Sequence, residues 1–152
     1  MSKNPVATNH TELIAWRLCA ALRRLVLSYT REGPAREDYR FRNQIRSAVR
    51  SACYLTSEGF YRKRDGDFIN FLVMARGSLG EIGDQIEDGA ESEYFTETQR
   101  VEMIRLMKRA CKANSGLRRY LEAAQNGRKR SALTDRMKRP NGPNGPNGPS
   151  GP

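Results

Sequence analysis

The chain has one histidine, one tryptophan and three cysteines in 152 residues. Each scarcity removes a class of chemistry. A metal centre inside a helical bundle usually draws histidines and carboxylates from facing helices, and a nucleophilic triad needs a histidine beside its nucleophile. His10 stands before the first helical pattern, at a start expected to fray, where neither role is easily built. Cys19, Cys53 and Cys111 are odd in number, widely spaced and free of any CxxC pair, which leaves no zinc signature and no disulfide framework. They read as small buried thiols in a reducing compartment. No GxxxxGK[ST] loop is present to cradle a nucleotide. No apolar run approaches the ~18 residues of a membrane span, and the first residues lack the apolar centre of a leader peptide. The expectation is a cytoplasmic chain with no membrane contact, cofactor, metal or small-molecule substrate.

Aromatic residues make up 8% of the sequence and hydrophobic residues 38%, below the roughly 45–50% apolar content, glycine included, of an average domain. That composition fits a thin bundle or an oligomer better than a thick globule. What the chain has in excess is positive charge, with 27 Lys and Arg against 17 Asp and Glu. Residues 127–152 hold 6 of the basic groups and 1 acidic group, so half of the formal net charge of +10 lies in the tail. Such a balance attracts polyanions, because each neutralised phosphate releases condensed counterions. A solvated surface that serves only solubility is the competing reading.

Hydrophobic periodicity predicts an all-α chain. Ile14, Leu18, Leu22, Leu25 and Tyr29 recur in steps of three and four, which places a helix over 11–31. Gly33-Pro34 ends it, since proline lacks the amide proton and glycine takes the C-terminal turn readily. A second helix over 35–57 lines up Phe41, Ile45, Ala48, Ala52 and Leu55, a face of small residues that lets a neighbour come close. After a loop around 59–66, Phe68, Leu72, Ala75, Leu79, Ile82 and Ile86 form the clearest bundle seam, interrupted by Gly77, Gly80 and Gly83. Each interior glycine costs about 1 kcal/mol relative to alanine, a cost that close backbone packing would offset. Thr96 with Gln99 makes a capping box for a fourth helix to about residue 124, whose buried stripe is Met103, Met107, Ala110, Leu117 and Leu121. Short connections imply an up-down-up-down four-helix bundle over 11–125. Residues 126–152 read as a disordered basic tail ending in Pro-Asn-Gly repeats too few for a collagen triple helix.

Candidate functional residues are basic. Arg42, Arg46 and Arg50 repeat every four positions on one face of the second helix, and Arg62, Lys63 and Arg64 follow its end. Arg105, Lys108, Arg109 and Lys112 give the fourth helix a basic side. Arginines four apart reach successive phosphates, which predicts nucleic-acid binding with little base preference. Intrahelical or intersubunit ion pairs, with Glu37, Asp38 or the acidic end of the third helix, are the alternative use of the same side chains. Glu58 and Glu81 sit beside small residues, yet no second polar group accompanies either one. Both read as structural carboxylates, paired with an arginine or capping a helix, and no residue reads as catalytic.

Four runs, Gln44-Ile45-Arg46-Ser47-Ala48, Ser57-Glu58-Gly59, Asp67-Phe68-Ile69-Asn70-Phe71-Leu72 and Ala75-Arg76-Gly77-Ser78-Leu79-Gly80-Glu81, carry a resemblance over about residues 11–124. They resemble the four-helix bundle proteins encoded by intervening sequences in bacterial 23S rRNA genes, a family that includes the accessory variability determinant of diversity-generating retroelements. The resemblance implies a homopentameric ring without catalytic machinery. In the retroelement branch it implies a basic ring that binds a reverse transcriptase together with template RNA and RNA–cDNA, in support of mutagenic cDNA synthesis. In the other branch the implied partner is RNA or a ribosomal component. Tyr54-Leu55-Thr56 and the Pro-Asn-Gly tail depart from the family's usual pattern. A purely structural oligomer that contacts acidic protein surfaces is the reading from a different class.

The thin core and the resemblance together predict self-association. Light scattering should find about five chains per particle, the closed cyclic assembly that one repeated interface generates. A monomer throughout the micromolar range would remove the ring.

Overall fold

The computed structural model describes residues 7–138, and these form four α-helices. They are α1 (Ile14–Tyr29), α2 (Tyr39–Phe60), α3 (Asp65–Glu91) and α4 (Glu97–Lys138). Single 3-10 turns precede α1 at His10–Glu12 and α2 at Pro34–Arg36. The packed pairs are α1 with α2, α2 with α3, α3 with α4, and α4 with α1, so each helix has two main neighbours around one core.

The helix ends follow from local chemistry. Asn9 accepts a hydrogen bond from Thr11 N at 2.8 Å and caps the first 3-10 turn. After α1 the chain turns at Gly33, whose φ of 73° is a left-handed conformation open to glycine at no steric cost. Asp38 caps α2 by accepting from Phe41 N at 2.9 Å, and its second oxygen accepts from the Tyr94 hydroxyl at 2.7 Å. The Thr96–Gln99 capping box forms in both directions, with Gln99 N donating to Thr96 Oγ1 at 3.2 Å and Thr96 N donating to Gln99 Oε1 at 3.0 Å.

Two apolar layers fill the bundle. The larger one joins Leu22, Val26, Ile45, Val49, Leu79, Ile82, Ile86 and Met103, and it is closed at one end by Phe41, Tyr94 and Phe95. The smaller one, at the α2–α3 turn, gathers Phe68, Leu72 and Leu121 with Leu13, Phe60, Ile69 and Leu117. All six residues of the α3 seam are buried. Asn114 is buried too, and its amide donates to the Leu72 carbonyl at 3.0 Å, tying α4 to α3.

Three expectations change. On α1 the fully buried line is Ala15, Cys19, Leu22 and Val26, whereas Ile14 is 68% exposed. Small Ala15 and Cys19 sit where the neighbouring helices come closest, and bulkier Leu18 and Leu25 flank that line half-buried. The end of α4 moves from about residue 124 to Lys138. Residues 126–138 have no buried face, so their pattern gives no helical signal, but Arg, Lys, Ala, Leu and Met among them are strong helix formers. The Pro-Asn-Gly repeats lie outside the described residues. Finally, close packing within the chain accounts for Gly83 alone of the three seam glycines. A Cβ there would meet Met107 Cε at 3.0 Å, while Gly77 has nothing within 4 Å and Gly80 meets only an Arg76 nitrogen at 3.8 Å.

The glycine that the crossing of α2 and α3 requires is Gly59. A Cβ at Gly59 would lie 2.7 Å from both Phe68 Cδ2 and Phe71 Cβ. Gly59→Ala should therefore destabilise the fold by about 1–2 kcal/mol, overpacking outweighing the gain in helix propensity. Gly116, with nothing within 4 Å of an added Cβ, provides the control, and Gly116→Ala should stabilise by up to about 1 kcal/mol. Urea denaturation of the two variants checks the contrast.

Candidate nucleic-acid interface

The ten sequence-selected cations fall into three separate patches. Arg42, Arg46 and Arg50 share the α1–α2 side of the bundle with Arg31, whose charge bears on Arg46. Arg62, Lys63 and Arg64 sit at the α2–α3 turn, roughly 30 Å along α2 from Arg42 at 1.5 Å per residue. Arg105, Lys108, Arg109 and Lys112 are exposed on α4. The first three of these line an open groove of about 720 Å³ between α3 and α4, together with Arg76, Arg100 and the apolar floor of Ile104 and Met107.

Arg46 organises the first patch. Its Nε donates to Thr30 Oγ1 at 2.7 Å and a terminal nitrogen reaches the Leu27 carbonyl at 3.5 Å. Thr30 is itself fully buried and donates to the Val26 carbonyl at 2.7 Å. The guanidinium thus rests on the carboxyl end of α1, where unpaired carbonyls concentrate partial negative charge. Burial, and then the neighbouring Arg42, Arg50 and Arg31, push the Arg46 pKa down. Arg42 donates to the Arg36 carbonyl at 2.9 Å and lies over the Tyr39 ring, 4.6 Å from its centroid. Arg50 is exposed.

Carboxylates are distributed unevenly among the arginines. Arg62 pairs with Glu58, Arg64 with Asp67 at 3.2 Å, Arg36 with Glu37 at 3.7 Å, Arg118 with Glu122 at 3.6 Å and Arg128 with Asp65. Arg100 holds both Glu87 and Glu97, and the Glu97 hydrogen bond does most to raise its pKa. Among the described residues, no carboxylate lies within ion-pair distance of Arg31, Arg42, Arg46 or Arg50, nor of Arg105, Lys108, Arg109 or Lys112. Within the chain, the ion-pair alternative therefore applies to Arg62 and Arg64 but not to the α2 stripe. Asp38 is committed to the cap of α2, and Glu37 to Arg36.

A family model described as 23S rRNA-intervening sequence protein matches residues 11–116. The chain belongs to this family. Among curated proteins, none matches. The matched region of this 23S rRNA-intervening sequence protein holds the α1–α2 arginines, the α2–α3 turn and the basic side of α4, and it excludes the exposed helical extension over 126–138.

The two carboxylates and three thiols singled out in the sequence have different surroundings. Glu58 is the partner of Arg62, as the pairing argument expects, while Glu81 is exposed and accepts from Gln85 Nε2 at 3.2 Å. Burial pushes the Cys19 thiol up to about 12 and raises Cys53 and Cys111 as well, which makes poor nucleophiles of all three. All three cysteines are free, and the described residues contain no cluster of three or more ligating side chains able to hold a metal.

Sequence reasoning missed Arg31, Arg76 and Arg100, because their roles depend on contacts between helices. It also treated the α2 stripe as uniform, though Arg46 bonds inward and Arg50 does not. Arg46→Gln should consequently lower stability by about 1.5–3 kcal/mol, the range for hydrogen bonds made by a charged group. Arg50→Gln should stay within about 0.5 kcal/mol of wild type, as exposed substitutions do. Thermal melts of both variants check this ordering.

Proposed function

We propose that the protein is a non-enzymatic accessory protein that binds RNA along the arginine ridge of α1 and α2. The observation that carries this reading is the set of four guanidiniums, Arg31, Arg42, Arg46 and Arg50, which share one side of the bundle and are matched by no carboxylate among the described residues. A fold that places like charges together without counter-charges leaves them to an external anion, and a phosphate backbone supplies anions at regular spacing. The basic side of α4 extends the same property to another flank.

The resemblance is to a family that includes a retroelement branch, and on that basis a reverse transcriptase with its template RNA and RNA–cDNA is the first partner proposed, the protein holding the template near the polymerase. Ribosomal RNA or a ribosomal component is the second. Self-association belongs to the proposal: Gly77 has open space beside it, Gly80 meets only the end of the Arg76 side chain, and Val73 and Met74 on the same helix are nearly half exposed. A second copy packed there would offset the helix cost of those glycines, and a homopentamer would repeat the ridge five times around its axis. Copurification with a reverse transcriptase, as against ribosomal particles, separates the two partners.

RNA affinity measured against salt concentration tests the ridge. Arg31 and Arg50 are exposed and without side-chain bonds among the described residues, so changing both to glutamine leaves the fold intact. Loss of two phosphate contacts should weaken binding across sequences and reduce the slope of log affinity against log salt by about 1.4–1.8. An unchanged slope, with binding retained, would assign RNA contact to α4 instead. Failure of the wild-type protein to bind RNA at all would favour the purely structural oligomer.

A further inference from the structure

The end of the bundle formed by the α2–α3 turn carries an aromatic group that neither the core nor the ridge uses. Tyr61 is 61% exposed, yet its ring is fixed on two sides. Phe60 meets it edge-on with centroids 5.1 Å apart, and His10 meets it at 5.6 Å and 71°. The Tyr61 hydroxyl and His10 Nδ1 share a 3.0 Å hydrogen bond, and His10 in turn stands edge-on to Trp16 at 4.9 Å. The segment expected to fray is thus folded onto α2 as a brace. Exposed Tyr54 and Tyr120, each at least 60% exposed, have no such aromatic bracing among the described residues.

Cations converge on this end from two elements. Arg62, Lys63 and Arg64 follow Tyr61 directly, and Arg128 of α4 reaches Asp65, which places that turn of α4 at the same end of the bundle, with Lys129 about 100° and Arg130 about 200° around the helix from Arg128. Glu58, Asp67 and Asp65 engage Arg62, Arg64 and Arg128, whereas Lys63, Lys129 and Arg130 have no ion pair among the described residues. An immobilised ring with most of its surface in solvent, two residues from the unpaired Lys63 ammonium and at the cationic end of the bundle, has the composition of a base-stacking platform on an electrostatic track.

We propose that Tyr61 is a stacking site for an unpaired base of single-stranded RNA, with Lys63, two residues on, taking the adjoining phosphate. The proposal rests on the RNA-binding reading and adds to it a preference for single strands, since a base within a duplex has no free face. The phosphate-tracking ridge and the stacking end then have different tasks. The ridge supplies affinity that both single-stranded and duplex RNA share, and the Tyr61 end supplies the difference between them.

The test compares a single-stranded oligouridylate with a duplex RNA of equal length on wild-type protein, Tyr61→Leu and Tyr61→Phe. Tyr61→Leu should weaken the single strand about 5- to 100-fold, the range for loss of one base–aromatic stack, and leave duplex binding unchanged. Tyr61→Phe retains the ring and should stay within about threefold of wild type for both probes. As a measurement independent of variant folding, a single strand carrying one 2-aminopurine should lose fluorescence on binding the wild-type protein. Equal losses for both RNAs, or no loss for either, would overturn the stacking site while leaving the ridge standing. So would a bound 2-aminopurine strand that is not quenched. A wild-type protein that binds neither RNA would overturn the ridge and the site together.

Discussion

Arg46 at the carboxyl end of α1 is the contact on which the basic surface depends. Its guanidinium is held by Thr30 and by the Leu27 carbonyl, in the region where the unpaired carbonyls of α1 concentrate negative potential. That potential lets a cation sit half-buried beside Arg31, Arg42 and Arg50 without a carboxylate. The same bonds join the last turn of α1 to the middle of α2, so the interaction that closes the α1–α2 corner also fixes the ridge. A helix terminus is suited to this task because it screens one arginine without neutralising the other three.

Elsewhere the chain uses carboxylates for assembly. Asp38 caps α2, Glu87 and Glu97 clamp Arg100 at the α3–α4 corner, and Asp65 ties the start of α3 to Arg128. Exposed pairs of this kind contribute little stability each, on the order of 0–1 kcal/mol. Their effect on the surface potential is larger, since they offset individual arginines near the helix ends and leave the long sides of α1–α2 and α4 positive. Membership of the 23S rRNA-intervening sequence family adds that the ridge lies within the region its members share, whereas the extension of α4 beyond residue 116 is not part of that region.

The four helices were legible because each buries a stripe at helical spacing and because Gly33-Pro34 and Thr96–Gln99 punctuate it with known chemistry. The α3 seam was read in full. On α1 the stripe was read by size and missed Ala15 and Cys19, since close approach selects small residues that a hydrophobicity pattern passes over. The continuation of α4 to Lys138 left no trace in periodicity, having no buried face to create one. Ten basic candidates in three groups were visible, but which of them stay clear of carboxylates was not, because that depends on which acidic side chains the fold brings near. The Tyr61 platform was invisible for a similar reason: His10 and Tyr61 meet across 51 residues of sequence.

Arginine-specific modification with phenylglyoxal, read by mass spectrometry with and without bound RNA, addresses the central claim most directly. The account predicts that RNA protects Arg31, Arg42 and Arg50, while Arg100, held by Glu87 and Glu97, and Arg118, paired with Glu122, react equally in both states. Protection confined to Arg128, Arg130 and Arg136, with the α1–α2 arginines as reactive as in the free protein, would contradict it.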